Sequence, residues 1–449
     1  MTEQEHDTLV RNLLALLGAS RNDLIQTHIS SVITAGEFVY KLKKPVDFGF
    51  LDYSTLPRRK HFCEEEVRIN GRYAPRLYLG VVPVTGTVEA PQLGGEGRAI
   101  EYAVKMRRFN QADQLDEVVK AEGLKAVWCD AVADTAAGMH AEAQPAEPES
   151  DFGTPERVLV PMLENFDLMA SLSRDAALAE AVAAVREWTL AISDLAFLLM
   201  DLEYRGLIPQ SRRILNRYLE KTGDYEAVAL LAFYKTYRAM VRAKVLALHA
   251  AQEMPDEERT AVIEEAKSYV ALARSYQKNH RPFLAITHGF SGAGKSTFAL
   301  MAVERFGAIR LRSDIERMRL FRTEGQETDI YTPEATEATY ARLAELAENV
   351  IGGGYAAVAD ATFLKRAQRE RFEHLAQRLG VRLVILDITC DDAELRHRIR
   401  QRFEQKSDVS EADEAVLELQ KNACEPLTEE ERHFRLPLDC RETSLPEKL

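Results

Sequence analysis

The feature that most restricts how this chain can fold is the stretch Gly-Phe-Ser-Gly-Ala-Gly-Lys-Ser-Thr at 289–297, which matches the pattern GxxxxGK followed by Ser or Thr. A strand-like apolar run precedes the stretch and a helical pattern follows it, as this motif requires. Its glycines allow a tight turn whose N–H groups point at phosphate oxygens, and the helix N-terminus favours negative charge. A chance glycine-rich turn is the alternative, but the motif is complete and correctly placed. The sequence therefore predicts a phosphate-binding loop.

The residue types of this loop each have an expected role. Lys295 is placed to reach the β- and γ-phosphates of a nucleotide, and the Ser296 hydroxyl is placed to ligate Mg²⁺. ATP and Mg²⁺ are therefore the predicted cofactors. The predicted nucleotide-binding residues are Gly289, Ser291, Gly292, Ala293, Gly294, Lys295, Ser296 and Thr297.

From residue 283 onward, strand-like runs alternate with helical stretches. The candidate strands are FLAITHGF, AIRLRSD, YAAVADAT, VRLVILDIT and HFRLPLDC. Runs that are apolar along their length are typical of parallel strands covered on both faces. This rhythm predicts a doubly wound parallel α/β sheet for residues 281–449.

Two acidic residues fall where predicted strands end. The carboxyl ends of strands in an open α/β sheet face the ligand crevice. Asp314 is therefore a candidate to hold or deprotonate a substrate hydroxyl, and Asp360 is a candidate ligand of Mg²⁺ or its waters. Helix N-capping is the alternative for both. Arg317 is a candidate for binding a substrate anion, with a solvated arginine as its alternative.

An arginine-rich segment at 395–402 is the predicted lid over the phosphates. Cations there would stabilise the charge that spreads over a transferring phosphoryl group. Arg398 and Arg402 are four residues apart and so share one helix face, which makes them the preferred candidates. A solvated basic helix face is the alternative.

With these motifs in view, residues from about 283 to 449 resemble P-loop small-molecule kinases of the zeta-toxin, polynucleotide kinase and gluconate kinase type. The matching parts are GFSGAGKST, SDIERMR, the ADAT strand end and the arginine-rich segment. The resemblance implies phosphoryl transfer from ATP, with Asp314 at the acceptor hydroxyl and lid arginines on the phosphates. It leaves the acceptor open among sugars, nucleotide sugars, nucleosides and nucleic-acid ends.

The first part of the chain shows mixed α and β patterns followed by helices. A loop rich in Pro and Glu at 141–155 precedes a helical region from about 172 to 275, and a break at 279–282 places the domain boundary between residues 280 and 281. The remaining expected elements are a hairpin at 32–44, a helix at 57–73 with Phe62, Glu66, Ile69 and Tyr73 facing inward, strands at 79–84 and 101–106, and a helix at 113–139.

Residues from about 24 to 280 resemble the aminoglycoside phosphotransferase-like family, which has a protein-kinase-like fold. The segment VYKLKKP carries Lys41, and CEEEVRINGRYAP carries Glu66, with Glu65 as a second choice. The resemblance implies a Lys41–Glu66 pair that orders a nucleotide. A surface lysine and a solvated acidic run are the alternative. The whole chain is similar in layout to bacterial bifunctional aminoglycoside phosphotransferase/ATP-binding proteins.

One part of that family's pattern is missing. The catalytic loop of the form His-Gly-Asp-Leu-His-x-x-Asn is absent, and the chain passes from VREWTL at 185–190 directly into a segment around Asp194. The first domain, residues 1–280, is therefore expected to be a degenerate kinase domain that regulates or binds a partner. A catalytic role for Asp194 or Asp201 is the weaker option.

Charge and cysteine content restrict the partners. The 449 residues carry 58 Lys and Arg against 71 Asp and Glu, a net charge of −13, which argues against a general nucleic-acid or anionic-membrane coat. No apolar run is long enough to span a bilayer and the first residues do not form a signal, so we expect a cytoplasmic protein. The five scattered cysteines favour reduced thiols.

Three functions follow from these observations. The first is an ATP-dependent kinase of a small-molecule acceptor, with activity in the second domain. The second is a nucleotide-dependent switch in which the degenerate domain supplies a partner surface. The third is a kinase of nucleic-acid 5′-hydroxyl ends, which the net charge disfavours.

Overall fold

The computed structural model describes residues 1–48, 51–143, 194–252, 254–276, 281–321, 330, 332–405 and 414–447, without the side chains of residues 194 and 402–405. These residues form two compact units, unit 1 (Met1–Gly123) and unit 2 (Leu124–Leu449). The contacts thus group the helices after residue 124 with the phosphate-binding loop, whereas the sequence predicted a domain boundary between residues 280 and 281. Most of the predicted loop at 141–155 and the junction at residue 190 lie outside the described residues.

Unit 1 is built on a six-stranded antiparallel sheet of order β1-β2-β3-β6-β4-β5. The predicted hairpin is confirmed, since β2 and β3 pair with Ala35 opposite Phe38. The strands are β1 (Leu24–Gln26), β2 (Ser30–Ala35), β3 (Phe38–Lys43), β4 (Tyr78–Gly86), β5 (Pro91–Leu93) and β6 (Glu101–Arg107), and the helices are α1 (Glu3–Leu16), α2 (Leu56–Tyr73) and α3 (Leu115–Glu122).

The two faces of strand β3 carry different chemistry. Tyr40 and Leu42 belong to the apolar core that α1 completes with Leu9 and Leu13. Because successive side chains of a strand alternate between faces, the lysines at 41 and 43 point to the opposite face. The sheet therefore separates a hydrophobic core from a charged cluster.

The inward face predicted for α2 is wrong in its second half. Ile69 is 48% exposed and Tyr73 is 37% exposed, whereas Arg59 and Cys63 are buried. Arg59 is tolerated inside because its Nε lies 2.8 Å from Oε2 of the equally buried Glu101. Apolar periodicity does not reveal a buried helix face that contains a neutralised arginine.

Unit 2 begins with a group of helices. The helix predicted at 113–139 is two helices, because Gly123 takes a left-handed φ of +71° and ends the first. A core of Met200, Met240 and Tyr269 holds later helices of the group together. These helices are α4 (Ala126–Ala141), α5 (Asp194–Tyr204), α6 (Ile208–Thr222), α7 (Val228–Ala250) and α8 (Asp256–Ser275).

The rest of unit 2 is the predicted parallel sheet, which is confirmed. Its order is β11-β10-β7-β9-β8, and all neighbouring strands pair in parallel. The strands are β7 (Phe283–His288), β8 (Ile309–Arg312), β9 (Ala357–Asp360), β10 (Arg382–Thr389) and β11 (Arg435–Asp439). The helices are α9 (Lys295–Phe306), α10 (Ser313–Phe321), α11 (Pro333–Gly352), α12 (Arg366–Leu379), α13 (Asp392–Gln405) and α14 (Glu414–Ala423).

Helix α6 is fastened to the sheet by polar side chains. Arg310 of β8 donates from Nε and Nη2 to Oε1 of the buried Glu220, at 2.8 and 2.6 Å. Its Nη1 donates to the Ser296 carbonyl at 3.2 Å. Arg212 donates to the carbonyls of Glu304 and Arg305 at the end of α9. Helix α6 therefore supports the end of α9 directly through Arg212, and the beginning of α9 indirectly through Arg310.

The expectation of five reduced thiols is corrected for two cysteines. Cys390 and Cys440 form a disulfide with a Cα–Cα distance of 5.3 Å. They follow the neighbouring parallel strands β10 and β11, so the sheet brings together residues that are 50 positions apart. Cys63, Cys129 and Cys424 are free thiols. Among the described residues, no helix combines the length and apolarity needed to cross a membrane.

Candidate functional site

A cavity of about 220 Å³ opens at the carboxyl ends of β7, β8 and β9. Parallel strands deliver their ends to one edge of the sheet, which is where ligands of such sheets bind. The lining consists of Ser291, Gly292, Gly294, Lys295, Ser296, Thr297, Ser313, Asp314, Asp360, Ala361, Thr362 and Arg398. The fold thus brings the loop, both predicted acidic residues and one predicted lid arginine to one place.

The loop between β7 and α9 is shaped by close backbone contacts. At Gly289, with φ of +146°, an added Cβ would lie 2.6 Å from the Ile388 carbonyl oxygen. Gly289 and Ala293 do not line the cavity, so they shape the loop and pack it. Lys295 Nζ donates to the Phe290 carbonyl at 2.8 Å. The Lys295 ammonium is therefore hydrogen-bonded to an uncharged oxygen of the same loop.

The helix-capping alternative does not hold for Asp360. Asp314 lies inside the first turn of α10, which begins at Ser313. Asp360 is the last residue of β9, and the next helix has Lys365 as its N-cap. Both carboxylates line the cavity and so face the space that a ligand would occupy.

Asp360 carries an incomplete hydrogen-bond set. It is 5% exposed, and its Oδ2 has no hydrogen-bond partner within the part of the chain that the structure describes. A buried carboxylate oxygen without a donor is costly unless a ligand completes it. Ser296 shares the lining, and Mg²⁺ prefers a carboxylate or two together with substrate phosphates and water. Asp360 and Ser296 therefore fit Mg²⁺.

The lid arginines divide into two groups. Arg398 lines the cavity, donates to Glu394 at 2.5 Å and to the Cys440 carbonyl at 3.2 Å, and has Nη1 close to Gly294. Arg396 and Arg400 pair with surface carboxylates such as Glu414, as a solvated basic face would. The side chain of Arg402 lies outside the described residues.

Arg317 does not line the cavity. It is 8% exposed, and its Nη1 donates to the Ile330 carbonyl at 2.8 Å and to Thr336 Oγ1 at 3.3 Å. Because Thr336 belongs to α11, this arginine ties α10 to the neighbouring helix. The structure thus places Arg317 among packing contacts and not at the substrate cavity.

Thr362 is a lining residue that the sequence did not single out. Its Oγ1 lies 3.3 Å from the Tyr340 hydroxyl, which also accepts from the Phe363 N–H at 3.2 Å. Phe363 has a left-handed φ of +48°, which is strained for a side chain of this size, and it is fully buried. Packing against Tyr340 and Phe372 keeps Phe363 in this strained backbone conformation. Such strain is typical of functional sites.

Gln420 of α14 is a second unanticipated contact. Its Oε1 accepts from the Ser291 N–H and its Nε2 donates to Ser291 Oγ, both at 2.9 Å. The two residues are 129 positions apart, so no local pattern could have revealed the contact. Ser291 thereby joins the loop to α14.

The strand that leads into the loop ends in an ion cluster. His288 Nδ1 lies 2.6 Å from Asp387 Oδ1, and Arg435 Nε donates to Asp387 Oδ2 at 2.5 Å. Burial raises the pKa of Asp387, but the hydrogen bonds from His288 and Arg435 outweigh burial and lower it overall. The ionised carboxylate therefore fixes three neighbouring strands just before the loop.

Unit 1 contains the pair that the sequence predicted. Lys41 Nζ lies 2.8 Å from Glu66 Oε1, and Lys43 Nζ lies 2.8 Å from Glu66 Oε2. Glu65 instead pairs with Arg68 at the surface. Burial raises the pKa of Glu66, but the hydrogen bonds from both lysines lower it overall. Lys43 was missed because the family resemblance implied only one lysine, Lys41, as the partner of the glutamate.

Comparison with known proteins supports a P-loop domain in unit 2. Residues 284–427 match the family described as an AAA domain. The chain is 26% identical over 404 residues to uncharacterised proteins of Mycobacterium bovis and Mycobacterium tuberculosis, across 76% of this chain and 78% of each relative. With its motif, sheet and family match, this region is a P-loop nucleotide-binding domain.

Solved structures with some likeness to the chain include two kinases. A sugar kinase from Janibacter sp. HTCC2649 is 21% identical, covering 36% of this chain and 87% of its own, with a TM-score of 0.28. A gluconokinase from Sinorhizobium meliloti 1021 is 20% identical, covering 36% of this chain and 85% of its own, also with a TM-score of 0.28. At these scores the likeness carries no argument about this chain.

Proposed function

We propose that the cavity at the phosphate-binding loop transfers the γ-phosphate of ATP to a hydroxyl group of a small molecule. The observation that carries the proposal is the position of Asp314, which lines the same cavity as Lys295 and Asp360. A nucleotide switch needs the loop lysine and serine but has no use for a carboxylate at the acceptor position. A phosphotransferase uses such a carboxylate as base or as anchor.

The chain's own residues would divide the work as follows. The acceptor oxygen attacks the γ-phosphorus, the bond to the bridging oxygen of ADP breaks, and the Asp314 carboxylate takes the acceptor's proton. Lys295 and Arg398 place positive charge beside the phosphates, where charge develops during transfer. Asp360 and Ser296 would hold Mg²⁺, which when bound neutralises charge on the phosphate oxygens.

We infer a small-molecule acceptor from charge. The chain's net charge of −13 opposes a long nucleic-acid surface, since such surfaces bind phosphates through clustered cations. A short acceptor that fits beside the loop avoids this repulsion. Nucleic-acid 5′-hydroxyl ends and a nucleotide switch are therefore the outcomes against which the proposal is tested.

For residues 1–280 we propose a degenerate kinase-like domain without catalytic activity, of which unit 1 is the first part and which regulates or binds a partner. Its antiparallel sheet, α2 and the Lys41–Glu66 pair support this proposal. The junction where the sequence lacks a catalytic loop, at residue 190, lies outside the described residues.

The test is transfer of label from γ-labelled ATP with Mg²⁺ to three separate acceptor pools. These are sugars and sugar acids, nucleosides, and oligonucleotides with 5′-hydroxyl ends. Wild type is compared with Lys295→Ala and Asp314→Asn, and ATP binding is measured by calorimetry. Label in a small-molecule pool that is lost in both variants supports the proposal. Label in oligonucleotides, or bound ATP with no transfer to any pool, contradicts it.

A further inference from the structure

A second and larger cavity, of about 390 Å³, lies at the other end of the strands of the parallel sheet. Phe283 begins β7 and Tyr355 precedes β9, so this cavity opens at the amino ends of strands whose carboxyl ends hold the phosphate-binding loop. The two cavities share no lining residue. We call it the basal cavity and define it by Glu203, Arg212, Lys235, Tyr276, Phe283 and Tyr355.

The carboxylate in the basal cavity is fully engaged by the protein. Glu203 accepts from Lys235 Nζ at 3.1 Å on each oxygen, from Tyr276 at 2.6 Å and from Ser211 at 2.9 Å. Lys235 is 8% exposed, and its ammonium lies 4.4 Å from the centre of the Tyr276 ring. Glu203 therefore neutralises Lys235 and offers little to a further cation.

The remaining charge of the lining is positive. Arg212 and Arg281 line the cavity, and Glu203 is the one carboxylate among the described lining residues. Arg212 donates from Nη1 to the carbonyls of Glu304 and Arg305. These carbonyls are uncharged, so they do not neutralise the guanidinium. A guanidinium is well suited to a carboxylate, sulfonate or phosphate. The cavity thus presents net positive charge to whatever enters it.

The walls between these charges are largely apolar. Phe283, Phe306, Leu272 and Ile208 line the cavity together with Tyr355. Protein interiors seldom leave voids larger than a water molecule, whereas small-molecule sites measure about 300–1,000 Å³ and combine apolar walls with a few placed polar groups. By its volume and its lining, the basal cavity resembles a small-molecule site and not an interior void.

We propose that the basal cavity is a binding site for a small organic anion with a flat apolar or aromatic body. The aromatic rings cover the body of the ligand, and Arg212 and Arg281 receive its anionic group. The site lies between helices α5–α8 and the sheet, at the end of α9 opposite the phosphate-binding loop. It is independent of the reaction proposed above.

Two dyes that differ in one charged group test this proposal. 8-Anilinonaphthalene-1-sulfonate carries an aromatic body and a sulfonate, and N-phenyl-1-naphthylamine carries the body alone. Ala232, which lines the cavity, is replaced in Ala232→Phe to fill it. Leu230→Phe, at a position of the same helix that is 43% exposed, is the matched control. Arg281→Gln removes charge at an exposed residue and carries little risk to folding.

We expect wild type and Leu230→Phe to bind the sulfonate dye at one site that saturating Mg-ATP does not displace. Ala232→Phe should weaken that binding about tenfold or more, and Arg281→Gln about threefold. The uncharged dye should bind about tenfold more weakly than the sulfonate. Circular dichroism melting checks that the variants are folded. Binding that survives both substitutions, that ATP displaces, or that the uncharged dye matches would overturn the proposal.

Discussion

Glu66 in unit 1 is a half-buried carboxylate and Asp360 in unit 2 is a buried one, and their charges are met in opposite ways. Each oxygen of Glu66 lies 2.8 Å from a lysine ammonium. Asp360 Oδ2 has no hydrogen-bond partner among the residues that the structure describes. Glu66 thus has its charge partners within unit 1, whereas the partner of Asp360 Oδ2 would be an ion or molecule that the protein binds.

This difference separates a structural ion cluster from a ligand site. A buried charge is kept when its partners repay the loss of hydration, so the Glu66 cluster can be explained by folding alone. An unmatched buried oxygen costs stability, and at Asp360 the same carboxylate also lines the cavity of the phosphate-binding loop, where a ligand can complete it. We therefore propose that the cavity of unit 2 binds the nucleotide and its metal, and that the lysines of unit 1 have a supporting role.

The largest expected effect comes from the acceptor side of the unit 2 cavity. Asp314→Asn should reduce phosphate transfer by about 10²–10⁴-fold, because it removes the group that takes the acceptor's proton. ATP affinity should change by less than about threefold, since Asp314 is not a loop residue. Asp391→Asn, at an exposed aspartate of the same unit, is the matched control. A variant that keeps more than a tenth of the transfer rate would show that Asp314 is not the base.

The next prediction concerns the unmatched oxygen. Asp360→Asn should raise the Mg²⁺ concentration needed for half-maximal transfer about tenfold or more, because a charged ligand is lost. The same variant should stabilise the metal-free protein by about 1 kcal/mol, because an uncompensated buried charge is removed. Mg²⁺ titration of the rate and thermal melting without metal measure both effects. Lower stability with unchanged Mg²⁺ dependence would mean that Asp360 is completed inside the protein.

A smaller effect is expected in unit 1. Glu66→Gln should destabilise this unit by about 1–3 kcal/mol, because Lys43 stays buried without its counter-charge. Phosphate transfer should stay within about twofold of wild type. Both tryptophans, Trp128 and Trp188, lie beyond residue 123, so hydrogen exchange of β2–β3 peptides is the suitable measurement. A loss of transfer in this variant would contradict the separation of roles.

The pH dependence of that cluster follows from its pKa. The lysines outweigh the effect of burial, so the pKa of Glu66 in the folded protein lies below its ordinary value of 4.5. Its contribution is therefore complete above that value and is lost as pH falls through the lower, folded pKa. Protection of β2–β3 peptides should fall on acidification in wild type, and Glu66→Gln should flatten this change.

The smallest predicted difference lies between the two lysines. The side chain of Lys43 is 4% exposed and that of Lys41 is 29% exposed, so water screens the second pair more strongly. Lys43→Met should therefore alter β2–β3 protection more than Lys41→Met, by about 1 kcal/mol. Equal effects would show that burial does not set the strength of this cluster.

The sequence could predict the loop, the parallel strands and the two acidic residues because each belongs to a local pattern. Asp314 and Asp360 follow strands, and parallel strands must end at one edge. The sequence could not predict the contact of Gln420 with Ser291 or that of Arg310 with Glu220, since these residues are 129 and 90 positions apart. The grouping of the helices after residue 124 with the P-loop region depends on such contacts, which periodicity does not reveal.

The most direct test of the central claim is hydrogen exchange of the full chain with and without Mg-ATP. We predict slower exchange in peptides that span 289–306 and the strand end at 357–362, with no change in β3 or α2. Lys295→Ala should abolish the protection in unit 2, because it removes the cation that meets the phosphates. Protection of β3 and α2 without any change at 289–306 would contradict the account and place the nucleotide in unit 1.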